Sequence, residues 1–186
     1  RSSSEPSESC SLLQLVLFTT ANVLQDFVFT VTITIAADDP RDPQITTLLQ
    51  AHLALMQSPG PPESTHALDL DGLLAPDITF WSARNEDRTV VGCAALKTLS
   101  PKHAEINSMH VAESQRGTGI ASLLLKHILQ TARARRYGHL SLETGSSAAF
   151  RPARSLYERY GFVETGPFGD YRPDPNSTFM TLALPQ

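Results

Sequence analysis

A short segment near the middle of the chain combines two glycines with an arginine and a glutamine, Gln-Arg-Gly-Thr-Gly-Ile-Ala at residues 115–121. It lies between a strand-like run, residues 104–111, and an amphipathic helical run, residues 120–137. The first N–H groups of a helix have no partner within the helix, and the helix dipole adds partial positive charge there. Glycine lets the backbone approach an anion without a Cβ in the way. The segment therefore predicts a site for a phosphate-bearing ligand, specifically a pyrophosphate.

Two familiar phosphate loops can be compared with this segment. A dinucleotide-binding fingerprint requires a third glycine three residues after the second, where this chain has Ser122. Glu143 lies about as far downstream as the acidic ribose ligand of that motif, so spacing alone leaves the dinucleotide alternative open. A P-loop ends in Gly-Lys-Ser/Thr, which the sequence does not contain.

The pattern Gln/Arg-x-x-Gly-x-Gly/Ala at this position resembles the acetyl-CoA loop of the GNAT superfamily of N-acetyltransferases. A second segment, residues 153–162, is similar to the other hallmark of the superfamily, a helix with Ala-x-x-Leu-Tyr followed by Gly-Phe. A narrower likeness, to YsnE-like bacterial acetyltransferases, is found at residues 64–70, 77–81, 142–145 and 174–180. The resemblance covers about residues 29–186.

The resemblance implies an α+β (mixed α/β) fold. Its central mixed sheet of six to seven strands would contain a splayed parallel pair and be flanked by about four helices. It divides the chain into an acetyltransferase domain, residues 29–186, and an N-terminal extension, residues 1–28. Residues 1–11 of the extension are rich in Ser and Glu, so the extension is expected to be partly disordered. The alternative is that it is left over from cloning.

Local patterns predict several of these elements without any resemblance. Apolar residues alternate with threonines over residues 27–35, which is typical of a strand. Asp42 followed by Pro43 predicts the start of a helix. Three prolines and a glycine at residues 58–62 predict a loop. Gly161 predicts the end of the helix over residues 150–160.

The resemblance also implies which residues contact acetyl-CoA. The pantetheine arm would pair with the backbone near Met109 and Val111, in the gap between the splayed strands. The diphosphate would meet the N–H groups of residues 116–121. The complete cofactor-binding set is Met109, His110, Val111, Gln115, Arg116, Gly117, Thr118, Gly119, Ile120 and Ala121.

Acetyl transfer to an amine requires a neutral nucleophile and a proton donor near the departing thiolate. Tyr157 is the candidate acid, because it matches the superfamily tyrosine beside the cofactor sulfur; the alternative is that it only packs between helix and sheet. Glu105 is the candidate base, because several superfamily members have a carboxylate on this strand; the alternative is an ordinary surface glutamate. Tyr160 lacks the motif position and is expected in the core.

The candidate acceptor-binding residues are Glu143, at the far end of the parallel pair, and His66 and Glu63, in the loop before the first hairpin. The sequence departs from the superfamily at Phe150, where many members have an asparagine that touches the pantetheine arm. Ser146 or Ser147 could supply that contact instead.

Composition limits the partners. The net charge of −4 argues against nucleic acid. The apolar run at residues 12–18 is too short to span a bilayer, so no membrane partner is predicted. Cys10 and Cys93 are far apart and the six histidines show no ligand spacing, which predicts no metal site and a reducing compartment, the cytoplasm.

The sequence therefore predicts an acetyl-CoA-dependent N-acetyltransferase that acts on a primary amine of a small molecule or amino-acid-like acceptor. Transfer would be direct, in a ternary complex, because no cysteine lies in the motif. Two alternatives remain open, a protein or peptide N-acetyltransferase and a non-catalytic acyl-CoA-binding module. Dimers are common in the superfamily, so a homodimer is compatible with the resemblance.

Overall fold

One sheet of eight strands runs through the residues that the computed structural model describes, 16–24, 27–57 and 70–185; side chains are described in 32–56 and 70–185. In chain order the strands are β1 Val16–Leu24, β2 Phe27–Ala37, β3 Ile78–Arg84, β4 Val90–Ser100, β5 His103–Val111, β6 His139–Gly145, β7 Val163–Thr165 and β8 Ser177–Ala183. The helices are α1 Pro43–Gln57, α2 Leu70–Leu73, α3 Ile120–Ala134 and α4 Arg151–Arg159. Short 3-10 turns, Glu113–Gln115 and Ala148–Phe150, precede α3 and α4.

The strands are arranged in the order β1-β2-β3-β4-β5-β6-β8-β7. All neighbours are antiparallel except β5 and β6, which are parallel. The predicted mixed sheet with one parallel pair is confirmed, and β2 to β8 supply the upper number of expected strands. β1 is not among the predicted strands; it pairs with β2 from Val16 opposite Ile35 to Leu24 opposite Phe27. The domain division near residue 28 stays a prediction.

The early elements form for the reasons that the sequence indicates. In β2, Ile33 and Ile35 are buried, whereas Thr32 and Thr34 are half-buried. At the start of α1, a carboxylate oxygen of Asp42 accepts the N–H of Gln44 at 2.8 Å, which caps the helix. α3 then packs its buried side chains against the sheet, Leu123, Leu124, Leu125, Ile128, Leu129 and Ala132 among them.

α3 ends earlier than the predicted residue 137, and the reason lies in its last turn. Arg136 adopts a left-handed conformation with φ of 58°, and the N–H of Tyr137 donates to the carbonyl of Ala132 at 3.0 Å. This turn buries the Tyr137 ring and brings its hydroxyl within 2.7 Å of the Thr98 hydroxyl. The predicted helix stop at Gly161 is confirmed, with φ of 89°.

Candidate active site

A cleft of about 650 Å³ opens where β5 and β6 separate. The two strands are paired from His103 opposite His139 to Ile106 opposite Leu142, and the ladder stops there although both strands continue. The cleft is lined by the separated strands, the segment before α3, the end of α1 and the first turns of α4. The inner strand edges thus face a gap that can accept an extended ligand arm, as the resemblance predicts.

A β-bulge in β5 lies next to the point where β5 and β6 separate. The register between β4 and β5 shifts between Cys93 and Ala95, so that β5 has one residue more than β4. Ser108 lies at the shift with φ of 49°, a conformation uncommon for residues other than glycine. Its carbonyl accepts the thiol of Cys93 at 3.4 Å. Burial raises the pKa of that thiol to about 12, so Cys93 is not a nucleophile at neutral pH.

The glycine segment has the backbone that an anion site requires. Gly117 and Gly119 have φ of 80° and 94°, and no atom lies within 4 Å of the position that a Cβ on Gly117 would take. Gly119 is the N-cap of α3, and no side chain of the described residues caps this helix end. Both glycines and Ile120 line the cleft. The first N–H groups of α3 are therefore available to a phosphate.

Two residues of the predicted cofactor-binding set, Arg116 and Thr118, make hydrogen bonds within the loop before α3. The N–H of Arg116 donates to the carbonyl of Glu113 at 3.2 Å, so the amides open to an anion begin at Gly117. Thr118 does not line the cleft; its hydroxyl donates to the carbonyl of Gln115 at 2.7 Å and holds the turn. The Arg116 guanidinium does line the cleft, about half exposed and 3.9 Å from the Glu113 carboxylate.

The other predicted cofactor residues line the cleft, namely Met109, His110, Val111, Gln115 and Ala121. The ring of His110 lies 4.7 Å, centroid to centroid, from that of His52 on α1. Burial, and then the charge of Arg116, lower the pKa of His110 to about 4. Burial, and then His110, lower the pKa of His52 to about 3. Both imidazoles are neutral at pH 7, and His52 is not among the site residues that the sequence predicts.

Tyr157, the candidate acid, is 6% exposed on α4 and lines the cleft. Its hydroxyl lies 3.9 Å from the sulfur of Met109, in the part of β5 that no longer pairs with β6. Burial, and then the Glu143 carboxylate, raise the pKa of Tyr157 well above its ordinary value. The phenol is therefore protonated at neutral pH and can donate a hydrogen bond.

The ring of Phe150, at the position of the superfamily asparagine, packs against the end of β6. An ideal Cβ on Gly145, at the end of β6, would lie 2.2 Å from Phe150 Cδ2, so the ring occupies the space above that glycine. The Ser146 hydroxyl donates to the carbonyl of Pro175 at 2.8 Å, away from the cleft. Neither Ser146 nor Ser147 lines the cleft, whereas Thr144 and Phe150 do.

A second cavity of about 570 Å³ adjoins the cleft. Asn107 and Tyr171 line both spaces. The predicted base, Glu105, lines the second cavity; it is 3% exposed, and Oε1 accepts the Tyr171 hydroxyl at 2.6 Å. The remaining wall is formed by the segment between β7 and β8 and by β4, with Lys97, Leu99, Phe168, Gly169, Asp170, Arg172, Pro173, Asp174 and Pro175.

None of the three predicted acceptor-binding residues is found in the second cavity among the described residues. Glu143 lines the cofactor cleft rather than the second cavity, near enough to Tyr157 and Tyr171 to raise the pKa of both. His66 and Glu63 lie outside the described residues. Sequence reasoning missed Tyr171, because it lies in an irregular segment without a motif.

Within the described ranges, no group of three or more His, Cys, Asp or Glu side chains is placed to hold a metal ion. A separate search of the same residues finds no helix long and apolar enough to cross a membrane.

The model of the acetyltransferase (GNAT) family matches residues 45–162. The chain is 49% identical over 150 residues to the uncharacterized N-acetyltransferase YsnE of Bacillus subtilis, covering 81% of this chain and 99% of that protein. It is 45% identical over 151 residues to the uncharacterized N-acetyltransferase YedL of Escherichia coli, covering 81% and 94%. It is 40% identical over 153 residues to an IAA acetyltransferase of Azospirillum brasilense, covering 82% and 98%.

Two solved structures are similar. A GNAT family acetyltransferase from Elizabethkingia anophelis with acetyl-CoA bound has a TM-score of 0.60 and 25% identity, covering 82% of this chain and 98% of that one. An acetyltransferase from Streptococcus agalactiae has a TM-score of 0.64 and 20% identity, covering 82% of this chain and 98% of that one. At this identity the similarity supports the fold and not the activity.

Proposed function

The chain belongs to the GNAT family of acetyltransferases and is an N-acetyltransferase that uses acetyl-CoA, and from this premise we propose that it acetylates the primary amine of a small, amino-acid-like molecule. The main support for this proposal is the second cavity. Its volume of about 570 Å³ suits a small metabolite, and it meets the cofactor cleft at Asn107 and Tyr171. An amine held there would lie beside the thioester.

The cleft fits acetyl-CoA through features of the chain itself. The diphosphate would bind the amides from Gly117 onward and the Arg116 side chain, where α3 starts without a side-chain cap. The pantetheine arm would lie along the inner edge of β5 at Met109 and Val111. Phe150 would contact that arm with an apolar ring instead of an amide.

The charges of the second cavity suit a zwitterion. Glu105 is buried, so its carboxylate favours a cationic ammonium group at the inner end. Lys97 is half-buried and lies opposite Glu105 in the β4–β5 register, Arg172 is exposed, and Asp170 and Asp174 line the same wall. These two cations would bind the acceptor carboxylate, which is the support for an amino-acid-like acceptor.

Acetyl-CoA supplies an acetyl group activated as a thioester. Glu105 takes one proton from the ammonium group, directly or through water, so that a neutral amine forms the new C–N bond as the C–S bond breaks. The second proton of the amine then passes to the departing thiolate, so that CoA leaves as its thiol and the product is a neutral amide. Tyr157 donates a hydrogen bond to the departing sulfur. Because its pKa lies above the thiol value of about 8.5, we expect this bond to stabilise the thiolate rather than to transfer a whole proton.

A panel of primary amines, assayed by release of the CoA thiol, tests the proposal. Amines with a carboxylate should show a kcat/KM about tenfold or more above their analogues without it. Arg172→Gln should narrow this difference. Lys126→Gln, an exposed cation on α3 outside both cavities, is the matched control and should leave the difference unchanged.

Other outcomes would contradict it. Acetylation of peptide N-termini or lysines without transfer to free amines would favour a protein N-acetyltransferase. Acetyl-CoA binding by calorimetry without transfer to any acceptor would favour a non-catalytic binding module.

The cytoplasm as compartment and a homodimer as assembly belong to the same proposal. The free, buried thiol of Cys93 supports a reducing compartment. Light scattering at micromolar protein concentration would test the dimer, since a monomer mass would contradict it.

A further inference from the structure

The second cavity contains a pair that neither sequence motif predicts, Glu105 on β5 and Tyr171 on the segment between β7 and β8. The Tyr171 hydroxyl donates to Glu105 Oε1 at 2.6 Å, a length typical of a bond to an ionised acceptor. The two residues are 66 positions apart in sequence. The bond therefore ties the cavity wall to the strand that carries the predicted base.

The Tyr171 ring is held in place independently of its hydroxyl. Its centroid lies 5.1 Å from that of Phe168 and 5.4 Å from that of Phe179 on β8. The N–H of Tyr171 also donates to the carbonyl of Phe168 at 3.1 Å. The ring of Phe168 in turn contacts His103 at the start of β5, at 5.8 Å. Removing the hydroxyl alone should therefore leave the ring and the segment where they are.

We propose that Tyr171 is a positioning residue for the transfer reaction, whose hydroxyl orients the Glu105 carboxylate and keeps it ionised where the two cavities meet. The inference rests on the proposed function, in which Glu105 accepts the proton of the amine. A buried carboxylate without donors favours its neutral form, which could not take that proton, whereas a donated hydrogen bond favours the ionised form.

The surroundings keep Tyr171 a donor. Burial, and then the charge of Glu105, raise the pKa of Tyr171 far above its ordinary value, so the phenol holds its proton throughout the working pH range. Among the described residues, the other charged or titratable groups around the pair are Lys97 on β4, His103 on β5, Glu143 on β6, and Asp170, Arg172 and Asp174 on the segment that carries Tyr171.

The test is the pH dependence of kcat/KM for Tyr171→Phe, with the best amine of the panel. The ionised form of Glu105 loses a donor, so the acid limb of the profile should move up by about one pH unit. At pH 7 kcat should fall about tenfold, with an unchanged far-UV circular dichroism spectrum as the check on folding. Tyr160→Phe, which removes a hydroxyl outside both cavities, is the matched control and should keep the wild-type profile.

A double-mutant cycle with Glu105→Gln shows whether Tyr171 acts through Glu105. Glutamine keeps an acceptor for the phenol but cannot take a proton. If the inference holds, Tyr171→Phe should lower kcat much less in the Glu105→Gln background than in the wild type.

Two results overturn the inference, and they are distinguishable. If Tyr171→Phe keeps the wild-type pH profile while Glu105→Gln is inactive, Tyr171 is not a positioning residue, and the proposed function is unaffected. Wild-type turnover of Glu105→Gln would remove the proposed base, and the inference with it.

Discussion

Gly145→Ala should both destabilise the protein and weaken acetyl-CoA binding, because this glycine lies directly under a ring of the cofactor cleft. A Cβ at this position would lie 2.2, 2.5 and 2.8 Å from three carbons of Phe150. Ordinary van der Waals contact begins near 3.4 Å, so the ring would have to move by more than 1 Å. Phe150 is 7% exposed and has the cleft on one side, so the ring would move into the space predicted for the pantetheine arm.

The magnitude follows from overpacking. Forcing an extra methyl into a packed site costs about 1–3 kcal/mol. For a chain of this length, about 2 kcal/mol corresponds to a fall in the thermal midpoint of roughly 4–8 °C. Calorimetric titration should show acetyl-CoA affinity reduced by about tenfold, since the displaced ring occupies the binding cleft.

Two further variants make the result interpretable. Gly166→Ala places a methyl where no atom lies within 4 Å, so its thermal midpoint should stay near that of the wild type. In a Phe150→Leu background the smaller side chain leaves room for the methyl, so Gly145→Ala should cost less there. Equal midpoints and equal acetyl-CoA affinities for Gly145→Ala and Gly166→Ala would refute the reasoning.

Two other predictions follow from the cleft. Tyr157→Phe should lower kcat by about 10²-fold, because the departing thiolate loses a hydrogen-bond donor, with acetyl-CoA affinity near that of the wild type. Thiol release and calorimetry measure the two; unchanged turnover would show that Tyr157 has no part in the mechanism. The pKa of His52 is lowered from 6.5 to about 3, and that of His110 to about 4. At pH values between the lowered and the ordinary pKa, the folded protein therefore binds fewer protons than the unfolded chain. The free energy of unfolding should therefore fall as the pH drops below about 6.5, by about 2 kcal/mol for His110 at pH 5. His52→Gln should reduce this acid sensitivity; a variant as acid-sensitive as the wild type would contradict the assignment.

The sequence predicts those parts of the molecule that local rules determine. The glycine segment before α3 and the stop at Gly161 depend on positive φ angles, which glycine alone adopts without strain. The cap at Asp42 depends on a side chain two residues from its N–H partner. The alternation in β2 follows from the burial of one face.

The rest depends on long-range packing. α3 ends at Ala134 because Arg136 adopts the left-handed conformation in which glycine is usually found. No local sequence pattern predicts this conformation for an arginine. The contact of His52 with His110 and the bond of Tyr171 to Glu105 each join distant segments through the sheet. The second cavity has walls from β4, β5 and an irregular segment, so no single stretch of sequence contains it.

The central claim is that main-chain amides at the start of α3 bind the diphosphate of acetyl-CoA, and calorimetric titration of Gly119→Ala tests it most directly. A methyl at φ of 94° strains the N-cap by about 1–2 kcal/mol and displaces these amides. Gly161→Ala, with φ of 89° and outside both cavities, carries the same backbone strain and is the matched control. The account predicts a lower thermal midpoint for both variants and acetyl-CoA affinity about tenfold weaker only for Gly119→Ala; wild-type affinity in Gly119→Ala would contradict it.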